Sequence, residues 1–167
     1  MVYANKTYIS FDWDNDINYY RLMQAWKEND NIEFNFHNAH NLNNITDRAS
    51  EDTIKSKLRE RMKNTNLFIL LVWQHTKYLY KYVRWEIEEA KKRDIPIIVV
   101  NLNWKRYVDE ANCPASAANT LAIHVSFNKS IIYKAIKQWP NWHKIYKKEW
   151  KDCWFVYSKE VYDELWL

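Results

Sequence analysis

Residues 66–73 read NLFILLVW, an apolar run with none of the polar alternation of a half-exposed strand. A run of this kind fits a central parallel strand buried on both faces. Residues 95–101, IPIIVVN, repeat the pattern, and KYLYKYVRWEIEEAKKR lies between the two. Its apolar positions recur at helical spacing, which predicts a helix over Leu79–Arg93 and so a strand–helix–strand unit. Strands buried on both sides need helices on both sides. The chain is therefore expected to be an α/β protein with a parallel sheet and right-handed crossovers.

The flanking sequence extends this unit in both directions. Thr7–Phe11 reads as a first strand, Asp12–Asn15 as a turn in which Asp14 or Asn15 caps a helix over 16–29, and Ile32–Phe36 as a short second strand. His37–Asp47 is polar and rich in Asn, as a loop would be. Ser50 is a suitable N-cap for a helix reaching Met62, with Glu51 and Asp52 where the helix dipole favours acids. Beyond the central unit, 102–120 is irregular and Leu121–Phe127 is a fifth strand. Asn128 caps a helix over Lys129–Trp139 that Pro140 is expected to end. Five strands suggest a flavodoxin-like order, 2-1-3-4-5, flanked by helices, over residues 1–139. Residues 140–167, rich in Trp, Tyr and Lys, form a partly helical extension packed on or next to that domain.

Composition excludes several functions. No glycine occurs among the 167 residues, so neither a phosphate-binding P-loop nor a GxGxxG dinucleotide fingerprint can be present. Asn is the expected substitute where the backbone turns left-handed. The apolar runs are too short to cross a bilayer, and residues 1–6 lack the apolar stretch of a signal peptide. Cys113 and Cys153 have no metal-ligand spacing and read as free thiols of a cytoplasmic protein. The net charge of +4 comes without a nucleic-acid-binding module, so neither nucleic acid nor membrane is an expected partner. The 10 Trp and 12 Tyr point to core and interfaces.

In an open α/β sheet of this order, ligands bind outside the carboxyl ends of strands one and three. Three segments converge there: Phe11–Asn15, His37–Asn44 and Trp73–Glu86. On a wheel of about 100° per residue, Val83, Ile87 and Ala90 define the buried stripe of the third helix. Glu86 lies about 70° from its centre and Glu88 about 130°, facing solvent. Tyr82 sits one turn before Glu86 on the same flank. From spacing alone Glu86 is either a catalytic carboxylate or a flank glutamate helped by the helix dipole. Phe11, Asp12, Trp13, His37, Asn38, Trp73 and Tyr82 are the candidate substrate-binding residues. Trp13 offers a ring for stacking, with turn and surface packing as the alternative for Asp12 and Trp13. His40, Gln74 and His75 share these loops. Trp85 points away from the stripe and is expected to meet the tail or another subunit.

The segments YISFDWDND, NLFILLV and YVRWEIEEA, in this order, resemble a TIR domain, and more narrowly the TIR-like proteins of Thoeris antiphage systems (the ThsB type), over about residues 5–139. Many TIR domains open this helix with Trp-Cys-x-x-Glu, whose glutamate is catalytic. Tyr82-Val83-Arg84-Trp85-Glu86 fits that spacing, with Tyr and Val in the first two places, so the resemblance implies that Glu86 is the catalytic residue. Aligning Trp85 with the motif's Trp would point instead to Glu89. The glycine-containing loop of signalling TIR domains is missing and the carboxy-terminal Phe-Trp motif is not matched, which favours the bacterial subfamily over animal adaptors.

The resemblance implies cleavage of NAD⁺, as substrate and not as cofactor, at the nicotinamide–ribose bond, giving a cyclic ADP-ribose-type signal or ADP-ribose. It also implies self-association, a phage-derived activator and an effector protein that responds to the product. No metal is expected. A non-enzymatic TIR-like interaction module would share the fold without needing Glu86. A nucleoside deoxyribosyltransferase-like enzyme would use a carboxylate on nucleosides. A response-regulator receiver fits poorly, because the third strand ends Val72-Trp73 with no phosphoacceptor Asp.

Overall fold

The computed structural model describes residues 6–29, 35–37, 50–79 and 81–167. The chain runs β1 (Lys6–Ser10), α1 (Trp13–Asn29), β2 (Asn35–His37), α2 (Glu51–Met62), β3 (Leu67–Val72), α3 (Tyr82–Lys92), β4 (Ile97–Asn101), α4 (Ala115–Ala118), β5 (Ala122–Ser126), α5 (Lys129–Lys148), β6 (Trp154–Val156) and α6 (Lys159–Glu164). The sheet is parallel throughout, in the order β2-β1-β3-β4-β5-β6. The expected 2-1-3-4-5 arrangement is present, and the tail adds a sixth strand to its edge.

Every residue of β3 is buried, because the period-2 alternation of a strand sends its side chains into two separate cores. Leu67, Ile69 and Leu71 join Ile9 under α1 and α5, with Tyr20, Met23, Ile132, Ile136 and Trp139. Phe68, Leu70 and Val72 join Tyr8 under α2, α3 and α4, with Leu58, Met62, Val83, Ile87 and Ala117. Among the described residues no helix is long and apolar enough to cross a membrane.

Several boundaries differ from the sequence reading, each for a physical reason. Helix α1 starts at Trp13, so Asp12 rather than Asp14 or Asn15 is its cap. The Asp12 carbonyl accepts the Asp16 N–H (2.7 Å), and its carboxylate accepts the Asp14 N–H (3.2 Å) and Asn15 Nδ2 (2.7 Å). Helix α3 starts at Tyr82 and not Leu79, because Thr76–Tyr78 closes a separate 3₁₀ turn. His37 is the last residue of β2, paired with Tyr8, and not a loop residue. Of the expected second strand, residues 32–34 lie outside the described residues.

Pro140 does not end α5, which runs on to Lys148 across the position where the sequence reading divides the chain. A proline inside a helix costs about 3 kcal/mol. Here the buried stripe Ile132, Ala135, Ile136, Trp139 and His143 continues past it, and burying an indole offsets a cost of that size.

A chain without glycine must also end its helices with other residues. Three helices close in Schellman motifs, with Asp94, Trp150 and Trp166 at the left-handed position (φ 54°, 58° and 58°). Their N–H groups bond to Lys91, Lys147 and Asp163 carbonyls, and the following residues bond back to Ala90, Tyr146 and Tyr162. None of the positive-φ positions among the described residues is Asn. A bulky residue there strains the backbone by roughly 1 kcal/mol. Trp150 is 94% exposed and has little packing to lose. Trp150→Gly is expected to raise stability by about 1 kcal/mol in urea denaturation, whereas Trp150→Ala, which keeps the Cβ, gives no such gain.

Candidate active site

Strand alternation places Tyr8 and Ser10 of β1 on the same face of the sheet, the one covered by α2 and α3. Both hydroxyls reach Glu86 of α3. Tyr8 Oη donates to Glu86 Oε1 (2.5 Å) and Ser10 Oγ donates to Oε2 (2.5 Å). The boundary position given by the helix wheel is thus turned inward, against β1. Glu86 is 6% exposed. Ser10 ends β1 and pairs with Leu70 of β3, so the carboxylate sits at the carboxyl end of β1. There the strand order reverses between β1 and β3.

Burial raises the Glu86 carboxyl above the ordinary glutamate value. The hydroxyls of Ser10 and Tyr8 and the charge of Arg61 on α2 pull it back only in part. Burial, followed by the charge of Glu86, pushes the Tyr8 phenol well above its usual range. Tyr8 therefore stays a neutral donor. A carboxylate has about four lone-pair directions. Tyr8 and Ser10 occupy one on each oxygen, which leaves acceptor capacity for a ligand's hydroxyl groups.

The other carboxylates of α3 are engaged elsewhere. Glu88 pairs with Arg84 (2.7 Å) on the exposed side, as the wheel requires, and Glu89 pairs with Arg93 (2.5 Å). Among the described residues Trp85 packs on α2 and not on the tail. It is half-buried against α2, with Lys55 Nζ 4.5 Å from its ring centre, because α2 and α3 pack side by side on this face. The Tyr82 ring stands edge-on to Trp85 at 5.9 Å, half exposed and outside the Glu86 hydrogen-bond cluster.

The remaining predicted residues divide. Phe11 stacks on Tyr20 (4.9 Å) and packs against Trp13 (5.5 Å). Together with Trp73 they lie on the α1 side of the sheet, across the strands from Glu86. Asp12 caps α1 and is held there by the bonds given above. His75 and Gln74 are exposed. His37 is placed by the β2 backbone alone, and Asn38 and His40 lie outside the described residues. Among the described residues no group of three or more His, Cys, Asp or Glu is placed to hold a metal ion.

The sequence reading missed four residues here: Tyr8, Ser10, Arg61 and Asp16. Tyr8 and Ser10 carried a signal, two hydroxyls at strand spacing on the same face of β1. Asp16 shares the buried stripe of α1 with Tyr20 and Met23 at helical spacing. It is 1% exposed, and among the described residues neither carboxylate oxygen has a hydrogen-bond partner. Burial, and then the charge of Asp12, push it up to about 7.

One oriented carboxylate at the switch point of a parallel sheet can stabilise positive charge developing on a sugar ring. Residues 8–107 match the family model for the TIR-like domain of the Thoeris protein ThsB. That stretch contains Tyr8–Ser10 of β1, the Glu86 cluster and the switch point, and covers more than half of the chain, which therefore belongs to the Thoeris ThsB TIR-like family.

Proposed function

We propose that the protein is an NAD⁺-cleaving enzyme, a nucleosidase or cyclase, in which Glu86 is the catalytic residue. The observation that carries this reading is the inward-turned Glu86 carboxylate, held by Tyr8 and Ser10 at the carboxyl end of β1.

Nicotinamide is attached to ribose through a cationic pyridinium nitrogen. When the C1′–N bond breaks, its electron pair goes to that nitrogen and nicotinamide leaves neutral, so no general acid is needed. A glycosidase, by contrast, uses two carboxylates because its leaving oxygen must be protonated. Ionised Glu86 accepts hydrogen bonds from the ribose hydroxyls and stabilises the oxocarbenium charge that develops at C1′. Attack by water, with loss of a proton, gives ADP-ribose. Attack by a hydroxyl or an adenine nitrogen of the same molecule gives a cyclic product, favoured by a folded pose and exclusion of water. In this reading the protein is cytoplasmic and self-associating. It answers a phage-derived activator, and its product informs a separate effector protein.

The test is incubation of purified protein with NAD⁺ and chromatography of the products, with Glu86→Gln beside the parent. Release of nicotinamide by the parent alone is the expected result.

Ser10 and Tyr8 act as positioning residues through Glu86. Removing a hydrogen bond to a charged group costs about 1.5–3 kcal/mol, so Ser10→Ala and Tyr8→Phe should each lower kcat roughly 10- to 100-fold. Both hydroxyls hold the Glu86 pKa down. Their loss therefore moves the acid limb of the activity profile to higher pH, a shift that a purely structural role would not produce.

A further inference from the structure

At the amino-terminal end of the sheet, opposite Glu86, two cavities of about 320 Å³ and about 360 Å³ adjoin. They share Asp94, Ile95 and His143 as walls, and lie between α5 and the starts of β3, β4 and β5. The size of each suits a small organic ligand.

Their lining is strongly basic. Lys91, Arg93, Lys144, Lys147 and Lys151 face only two carboxylates, Asp94 and Asp152. Lys147 pairs with Asp94 (2.6 Å), Lys151 with Glu149 (2.7 Å) and Arg93 with Glu89 (2.5 Å). Lys91 and Lys144 have no acidic partner among the described residues. Asp152 accepts the Leu121 N–H (3.2 Å) and keeps its negative charge in the lining. With the paired Glu89 and Glu149 counted, five cations meet four carboxylates, which leaves a surplus of one positive charge among the described residues.

Two buried polar side chains border the same space. The Thr65 hydroxyl is buried with no hydrogen-bond partner among the described residues, and the residue is 7% exposed. His143 is 6% exposed and touches both cavities, with Trp139 as its ring neighbour. Native structures seldom leave a buried hydroxyl unsatisfied without a ligand or water to meet it. At the rim stands Trp150, a wall of the first cavity, whose indole is held in solvent by a left-handed backbone that most residues avoid.

We propose that this groove binds a nucleotide, with its phosphates among Lys91, Lys144 and Lys147 and its base stacked on the Trp150 indole. A phosphate oxygen accepts from the Thr65 hydroxyl and can replace Asp94 as the partner of Lys147. A ligand with phosphates but no ring leaves the indole unused, and a ring without phosphates leaves the cations unmatched. The site is separate from Glu86 and does not depend on the reaction proposed for it.

The experiment is calorimetric titration of the full chain with ATP and, separately, with inorganic tripolyphosphate. ATP should bind once per chain and more tightly than tripolyphosphate. Trp150→Ala should weaken ATP about tenfold, as loss of one base stack does, and leave tripolyphosphate unchanged. The double variant Lys91→Ala/Lys144→Ala should weaken both, and added salt should weaken both. All three positions are exposed, so these variants keep the fold. The proposal is overturned by absence of ATP binding at millimolar concentration, by equal affinity for the two ligands, or by ATP affinity unchanged in either variant.

Discussion

Glu86→Gln is expected to slow NAD⁺ cleavage on the order of a thousandfold while leaving the thermal midpoint equal to or above that of the parent. The size follows from losing one oriented electrostatic group in a water-poor site, about 4 kcal/mol of transition-state stabilisation. Glutamine keeps the volume and the carbonyl acceptor. Its amide meets a hydroxyl that can accept as well as donate, so Tyr8 and Ser10 retain partners. The variant also removes a carboxyl that burial disfavours as a charge. Lost rate and preserved stability together separate catalysis from folding. An unchanged rate would sink the assignment.

The same carboxyl makes activity and stability respond to pH in opposite senses. Its folded-state pKa lies above the ordinary 4.5. Activity that needs the ionised form falls away on acidification at a pH above that value. The native state binds the proton more tightly than the unfolded chain, so this group's contribution to stability improves as pH falls through the same window.

The second large effect belongs to Asp16. At pH 8 Asp16→Asn is expected to be markedly more stable than the parent, with most of the advantage gone by pH 4. Among the described residues Asp16 has no donor for either oxygen, and it titrates at about 7 instead of 3.8. Three pH units correspond to roughly 4 kcal/mol borne by the ionised native state. The native state holds the proton more tightly, so stability falls as pH rises from about 4 to about 7 and is flat beyond. Asparagine does not ionise, although its amide is equally short of partners. The difference between the two proteins should therefore change by about 3 kcal/mol between pH 4 and pH 8, read by urea denaturation at each pH. A constant difference would show that Asp16 is not buried as an unpaired carboxylate.

Much of the frame was legible because it rests on local pattern. The run Leu67–Val72 announced a strand buried on both faces. Ser50 caps α2 as expected, its Oγ accepting from the Thr53 N–H, and the helix wheel separated Glu86 from Glu88. The misreadings arose where distant contacts outweigh local preference. Pro140 is a helix breaker by local chemistry, but the buried stripe from Ile132 to His143 carries α5 through it. Trp85 looked bare because its cover, Lys55 and the rest of α2, lies 30 residues earlier. The clasp on Glu86 comes from hydroxyls 76 and 78 positions away, a pairing that only the sheet order brings about. Asp12 was weighed as a ligand contact, and the structure adds a local task, since each of its oxygens accepts a bond from the first turn of α1.

The strand order also has a consequence for synthesis. From β3 onward each strand docks on the edge left by the one before it, so a chain leaving the ribosome can extend its sheet in the order in which it emerges. The longest of these waits comes last: β5 ends at Ser126 and its outer neighbour begins at Trp154, 28 positions on. At translation rates of about 5–20 residues per second, the β5 edge waits roughly 1–6 s for its partner. During that interval its unpaired backbone groups are open to a strand from another nascent chain.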